Sequence, residues 1–104
     1  MSKAIAARTE RDRLEELAAH LRPWAGDLAM TLSTSSDGDA ELELVNRRYP
    51  KISRTVKARM YDDGEVVIFT KYYGVVVGDT LQEKAETLAW ALDVRKGRRV
   101  WGRP

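Results

Sequence analysis

The chain has 104 residues, 43% of them apolar and 33% charged, with a formal net charge of +2. That length suits one domain, and that balance suits a globular protein rather than a disordered one. Cysteine is absent and histidine occurs once, at His20, which excludes disulfides, thiolate metal ligands, cysteine nucleophiles and a histidine-rich zinc site.

No apolar run approaches the ~18 residues needed to cross a bilayer, so no membrane role is expected. The opening stretch MSKAIAARTERDR lacks the apolar core of a signal peptide, and a cytoplasmic location is the corresponding expectation.

The first element is an amphipathic helix. Leu14, Leu17, Ala18 and Leu21 recur at i, i+3, i+4 and i+7, and Pro23 stops the run. Thr9 can cap it, with Glu10 and Asp12 favourable in the first turn. Ser2 is a second cap, from which Ile5 would extend the stripe, and the spacing leaves both starts open.

The period then falls to two. Leu28, Met30 and Leu32 alternate with Ala29, Thr31 and Ser33, which predicts a half-buried strand. A loop over Ser33–Asp39 (STSSDGD) leads to a second strand, where Leu42 and Leu44 alternate with Glu41 and Glu43 on an acidic outer face. Pro50 resets the chain. From Lys51 to Tyr61, Ile52, Val56, Ala58 and Met60 share one face with the exception of Arg54. The other face carries Lys51, Ser53, Thr55, Lys57, Arg59 and Tyr61.

Asp62-Asp63-Gly64 suits a three-residue hairpin loop, which would set Tyr61 opposite Glu65, Met60 opposite Val66 and Ala58 opposite Ile68. A two-residue Asp-Gly turn would instead oppose Ile68 to Arg59, a poorer match. The fourth strand, Glu65–Lys71, is apolar on both faces and reads as central; a short fifth strand spans Val75–Val77.

Thr80 and Glu83 have capping-box spacing at the head of a last helix with the stripe Leu81, Ala85, Leu88, Ala89, Leu92. Arg95 and Lys96 complement its dipole and Gly97 is placed to end it. The predicted fold class is α+β: an N-terminal helix, an antiparallel meander of four to five strands, and a C-terminal helix packed on one face of the sheet. Residues 1–97 read as a single compact domain and 98–104 as a short basic tail. Trp24 and Trp90 are assigned to the helix–sheet interface, with Trp90 offset from the stripe.

Order alone assigns no family. Three strands followed by a helix (residues 56–92) resemble integrase arm-binding domains in topology, and helix–three strands–helix resembles double-stranded-RNA-binding domains. Neither diagnostic motif is present, since the last helix opens Leu81-Gln82-Glu83-Lys84 rather than with a lysine cluster.

Catalytic groups are scarce. His20 reads as a surface or helix-end histidine rather than a catalytic base. Asp62 and Asp63 are explained by a hairpin tip. A calcium loop starting at Asp37 would want Gly and Glu where the chain has Leu42 and Arg48. Gly74–Gly78 (GVVVG) has neither a dinucleotide fingerprint nor a Walker lysine. No enzymatic activity, cofactor, metal or small-molecule substrate is expected.

Charge is segregated. Residues 1–46 hold five Lys/Arg and nine Asp/Glu (5 − 9 = −4), and residues 47–104 hold thirteen and seven (13 − 7 = +6). Arg47–Arg59 and Arg95–Arg103 contain no acid. An amphipathic strand presenting lysine and arginine on one face, at about 7 Å per second residue, can follow a phosphate backbone. The same pattern also serves an edge strand that deters aggregation.

The leading expectation is therefore a small non-enzymatic domain that contacts nucleic acid mainly through phosphates. Its contacts are Arg47, Arg48, Lys51, Lys57 and Arg59, with Arg98 and Arg99 auxiliary. Ser53 and Thr55 add hydroxyls, Lys71 or Tyr73 extends the patch, and Trp101 among arginines suits stacking. The competing expectation is a protein-interaction module or small homo-oligomeric subunit, docking through the first helix, an edge strand or the acidic face at Glu41 and Glu43.

Overall fold

Alternation decides which way each strand faces, and the computed structural model, which describes residues 3–95, follows it closely. The elements are α1 (Lys3–His20), a 3-10 turn (Arg22–Trp24), β1 (Leu28–Thr34), β2 (Ala40–Asn46), β3 (Ser53–Met60), β4 (Val66–Thr70), β5 (Gly74–Val75) and α2 (Leu81–Ala91). The strands form one antiparallel sheet in the order β1-β2-β3-β4-β5. The predicted α+β architecture is the one observed. No helix among the described residues is long and apolar enough to cross a membrane.

One face of the sheet carries Leu28, Leu42, Leu44, Val56 and Ile68, all buried beneath Leu14, Leu17 and Leu21 of α1 and Leu88 and Leu92 at α2. On the other face Thr31, Ser33, Glu43 and Arg59 remain exposed. Both helices thus cover the same side. Burying a leucine of this kind contributes roughly 1.5–3 kcal/mol, which is why the period-two and period-3.6 stripes must meet.

The start of α1 differs from the Thr9 cap. The helix runs from Lys3, and Thr9 Oγ1 donates to the Ile5 carbonyl one turn back, at 2.9 Å. Ile5 is 56% exposed, so it does not lengthen the buried stripe. After His20 the Leu21 amide is shared between Leu17 and Ala18 carbonyls, and the following turn swings Trp24 into the core.

The β3–β4 hairpin has the predicted register: Met60 opposite Val66 and Ala58 opposite Ile68. Tyr61 N donates to the Glu65 carbonyl at 2.8 Å, and Gly64 takes the left-handed position at φ 87°. The fifth strand begins one residue earlier than expected. Its ladder ends at Val75, although Val76 N still donates to the Ile68 carbonyl.

Thr80 caps α2 through a bond from Glu83 N to its hydroxyl (3.1 Å), and the return contact runs from that hydroxyl to the Glu83 carboxylate (3.4 Å). Immediately upstream, Gly78 lies so close to the helix that a Cβ there would stand 2.8 Å from Lys84 N.

The C-terminal end of α2 overturns the role given to Gly97. The helix stops at Ala91, and Asp93 takes the left-handed conformation (φ 56°). Asp93 N returns to the Trp90 carbonyl and Val94 N to the Ala89 carbonyl, both at 3.1 Å. That is a Schellman end, sealed by burial of Val94 against Ala89. Arg95 lies past the last turn, while Lys96, Gly97 and the tail fall outside the described residues.

Two long-range bonds tie helices to strand ends. Asn46 N donates to the Ile52 carbonyl, so even-numbered residues of β3 turn their amides toward β2. Met60 lies beyond the reach of β2, and its amide is taken by Glu10 Oε2 of α1 at 2.8 Å. At the opposite end of the sheet, the buried Asn46 side chain donates to the Leu92 carbonyl (2.8 Å) and accepts from Arg48 N and Tyr49 N (2.9 and 3.0 Å).

Candidate nucleic-acid interface

The outer face of β3 presents Ser53, Thr55, Lys57 and Arg59, as alternation requires. Its neighbours decide what those charges are worth. Leu42 pairs with Val56, which brings Glu41 of β2 across from Lys57. Lys57 Nζ lies 3.5 Å from Asp39 Oδ2 and 3.6 Å from Glu41 Oε2, with its side chain only 20% exposed. A phosphate approaching Lys57 must compete with two carboxylates already in place. The Asp37–Glu41 run therefore turns two of its acids to an ammonium group.

Arg59, one step along the same face, is exposed and paired across the ladder with Val67. It borders an open depression of about 290 Å³ with Tyr61, Val67, Phe69, Gly74 and Val75. Lys71 is also exposed, and its ammonium lies 5.8 Å from the centre of the Tyr72 ring.

The remaining predicted residues lie elsewhere. Lys51 is exposed in the turn before β3. Arg47 is tied to the loop ahead of β1, its Nε donating to the Ala25 carbonyl (3.2 Å) and its amide to the Asp27 carbonyl (2.8 Å). Arg48 and Tyr49 line a separate polar pocket of about 180 Å³ with Asp27, Asn46, Asp93 and Arg95. Arg98, Arg99 and Trp101 lie outside the described residues.

From Ser53 to Arg59 the strand advances roughly 20 Å at about 3.3 Å per residue. The Arg47–Lys51 group stands at one end of β3 and Arg59 at the other, with the neutralised Lys57 between. The outer face is graded across the strands: acidic on β2, basic on β3, apolar and aromatic on β4 and β5.

Two residues have roles that alternation did not supply. Arg54 falls on the helix-covered side, where its guanidinium stacks 3.9 Å from the centre of the Tyr73 ring and Nη1 donates to the Ser53 carbonyl. Tyr73 is thereby engaged with Arg54. Phe69 and Tyr61 flank Arg59 because of the hairpin register, a relation already contained in the three-residue loop.

His20 Nδ1 lies 3.0 Å from Gln82 Oε1, linking the two helices. Trp90, assigned to packing, stands 84% exposed on α2. Compared with family models, curated proteins and solved structures, the chain matches none.

Proposed function

We propose that the chain is a small binding domain that holds single-stranded nucleic acid on the bare sheet face over β3, β4 and β5. The observation that carries this reading is the open depression in which exposed Arg59 adjoins Tyr61 and Phe69. Aromatic rings beside arginine, here exposed Tyr61 and half-buried Phe69, form a stacking platform for bases, while lysines at the margin answer phosphates. Arg59, Lys51 and Lys71 take the phosphate contacts; Tyr61 and Phe69 take the bases; Ser53 and Thr55 supply hydroxyls. Lys57 is a minor contributor because Asp39 and Glu41 hold it.

The acidic outer face of β2 argues for a single strand over a duplex, whose second line of phosphates would lie above Glu41 and Glu43. The reading rests on the sheet face and draws on neither Arg98 nor Arg99.

The test is fluorescence anisotropy with labelled single-stranded and duplex oligonucleotides at two salt concentrations. Three phosphate contacts to a single strand predict a log–log salt slope of about −2, or roughly a 20-fold loss on a fourfold rise in salt. Arg59→Glu should abolish the single-strand signal, and Tyr61→Ala should weaken it by about tenfold. Absence of binding at low salt, or binding that Arg59→Glu leaves intact, overturns the proposal.

A further inference from the structure

A second surface lies away from this face, along α2 and the free edge of β5. Glu83, Glu86 and Trp90 recur at i, i+3 and i+7, one exposed stripe of the helix. With Val77 and Thr87 they line an open groove of about 420 Å³. Trp90 is 84% and Val77 74% exposed, so the groove presents bare apolar surface. A smaller depression of about 150 Å³ shares Thr87 and continues the groove along Val75, Leu88 and Ala91.

The backbone here is open as well. Val76 N donates to Ile68, which turns the amides of Val75 and Val77 away from β4 toward the free edge. The Val77 carbonyl is already occupied by the Thr87 hydroxyl at 2.9 Å, and Val75 retains both its amide and carbonyl on that edge.

Among the described residues no cation pairs with the acids on the rim. Glu83 accepts from the Thr80 hydroxyl and Glu86 from the Gln82 amide, while the ammonium of nearby Lys84 is turned to the Gly78 carbonyl. The groove thus calls for a segment with apolar side chains, a run of positive charge and a backbone able to pair with a strand edge.

The sequence contains such a segment. Residues 96–104 carry Lys96, Arg98, Arg99 and Arg103 with no acid, together with Val100 and Trp101. Five extended residues span about 16 Å, the length of the eleven-residue α2.

We infer that the chain self-associates, the segment 96–104 of each copy occupying the α2–β5 groove of the other, with Arg98 and Arg99 against Glu83 and Glu86. Each copy gives a segment and offers a groove, so the exchange closes as a two-fold dimer. The inference does not rest on nucleic-acid binding: the two surfaces meet at Gly74 and Val75, while Arg59, Tyr61 and Phe69 belong only to the sheet-face depression.

Sedimentation velocity on the full chain, from low to high micromolar, tests it through charge exchange. The native chain should show a monomer–dimer equilibrium that weakens with salt. Glu83→Arg/Glu86→Arg and Arg98→Glu/Arg99→Glu should each be monomeric, with circular dichroism unchanged. Mixing the two variants should restore a dimer, because both grooves then face segments of opposite charge. Trp90→Ala, which changes no charge, should weaken the native dimer by more than about tenfold. A native chain that stays monomeric, a dimer that survives both charge reversals, or variants that fail to associate when mixed would each overturn the inference. Arg59→Glu should leave the dimer intact, separating this result from the nucleic-acid test.

Discussion

The side-chain amide of Asn46 donates to the Leu92 carbonyl at 2.8 Å, joining the end of β2 to the end of α2. The same side chain accepts the amides of Arg48 and Tyr49, so one buried residue satisfies a helix C-terminus and a turn together. Asn46→Ala should destabilise the fold by about 2–4 kcal/mol, because it strands buried partners as well as removing bonds. Asn46→Asp should also be costly, since it keeps the acceptor for the turn but places an oxygen against the Leu92 carbonyl. Urea denaturation of the three proteins checks the order.

Gly78 and Gly64 both have positive φ, at 139° and 87°, but only Gly78 is crowded. Gly64→Ala meets open space and should cost about 1 kcal/mol of backbone strain. Gly78→Ala adds a clash with the backbone of α2 and should cost at least about 2 kcal/mol. Comparable losses at the two sites would contradict the close approach at Gly78.

Glu10 is the partner of a β3 amide that β2 does not reach. Glu10→Ala should lower stability by about 1–2 kcal/mol. Amide exchange distinguishes this bond from general helix weakening: Met60 N should lose protection more than its neighbours in β3.

Lys57 and Arg59 separate phosphate contact from internal pairing. Lys57→Gln should reduce single-strand affinity by no more than about twofold, because its charge is already answered by Asp39 and Glu41. Arg59→Gln should cost about one unit of salt slope. A double-mutant cycle on Lys57 and Glu41 should return a coupling of up to about 1 kcal/mol.

Features governed by neighbours in sequence were legible before the structure. The Asp62-Asp63-Gly64 loop sets the β3–β4 register within a few residues, and Thr80 lies three residues from the amide it caps. Features governed by distant neighbours were not. The Lys57–Glu41 pair depends on the β2–β3 register, and the six-residue connection over 47–52 is too long to fix a register by turn type. Both charges were visible as separate faces, yet only their alignment reveals that they cancel. Asn46 gives no local sign of its role because its partner is Leu92. Asp93 ends α2 where a glycine further on was expected, since a short polar side chain tolerates the left-handed conformation when the capping bonds are good.

The grading of charge across the bare face has a directional consequence. Adjacent strands lie about 4.8 Å apart, so the potential reverses within one strand spacing on going from β3 to β2. On the β4 side Val67 and Phe69 carry no charge, and the next acids met along β3 beyond Arg59 are Asp62, Asp63 and Glu65 of the hairpin. Under the proposed reading a flexible polyanion on this face would be pushed off β2 toward Phe69 and confined between the acids of β2 and those of the hairpin. Under the same reading the sheet would serve as an oriented track whose usable length is about that of one strand, roughly 20 Å.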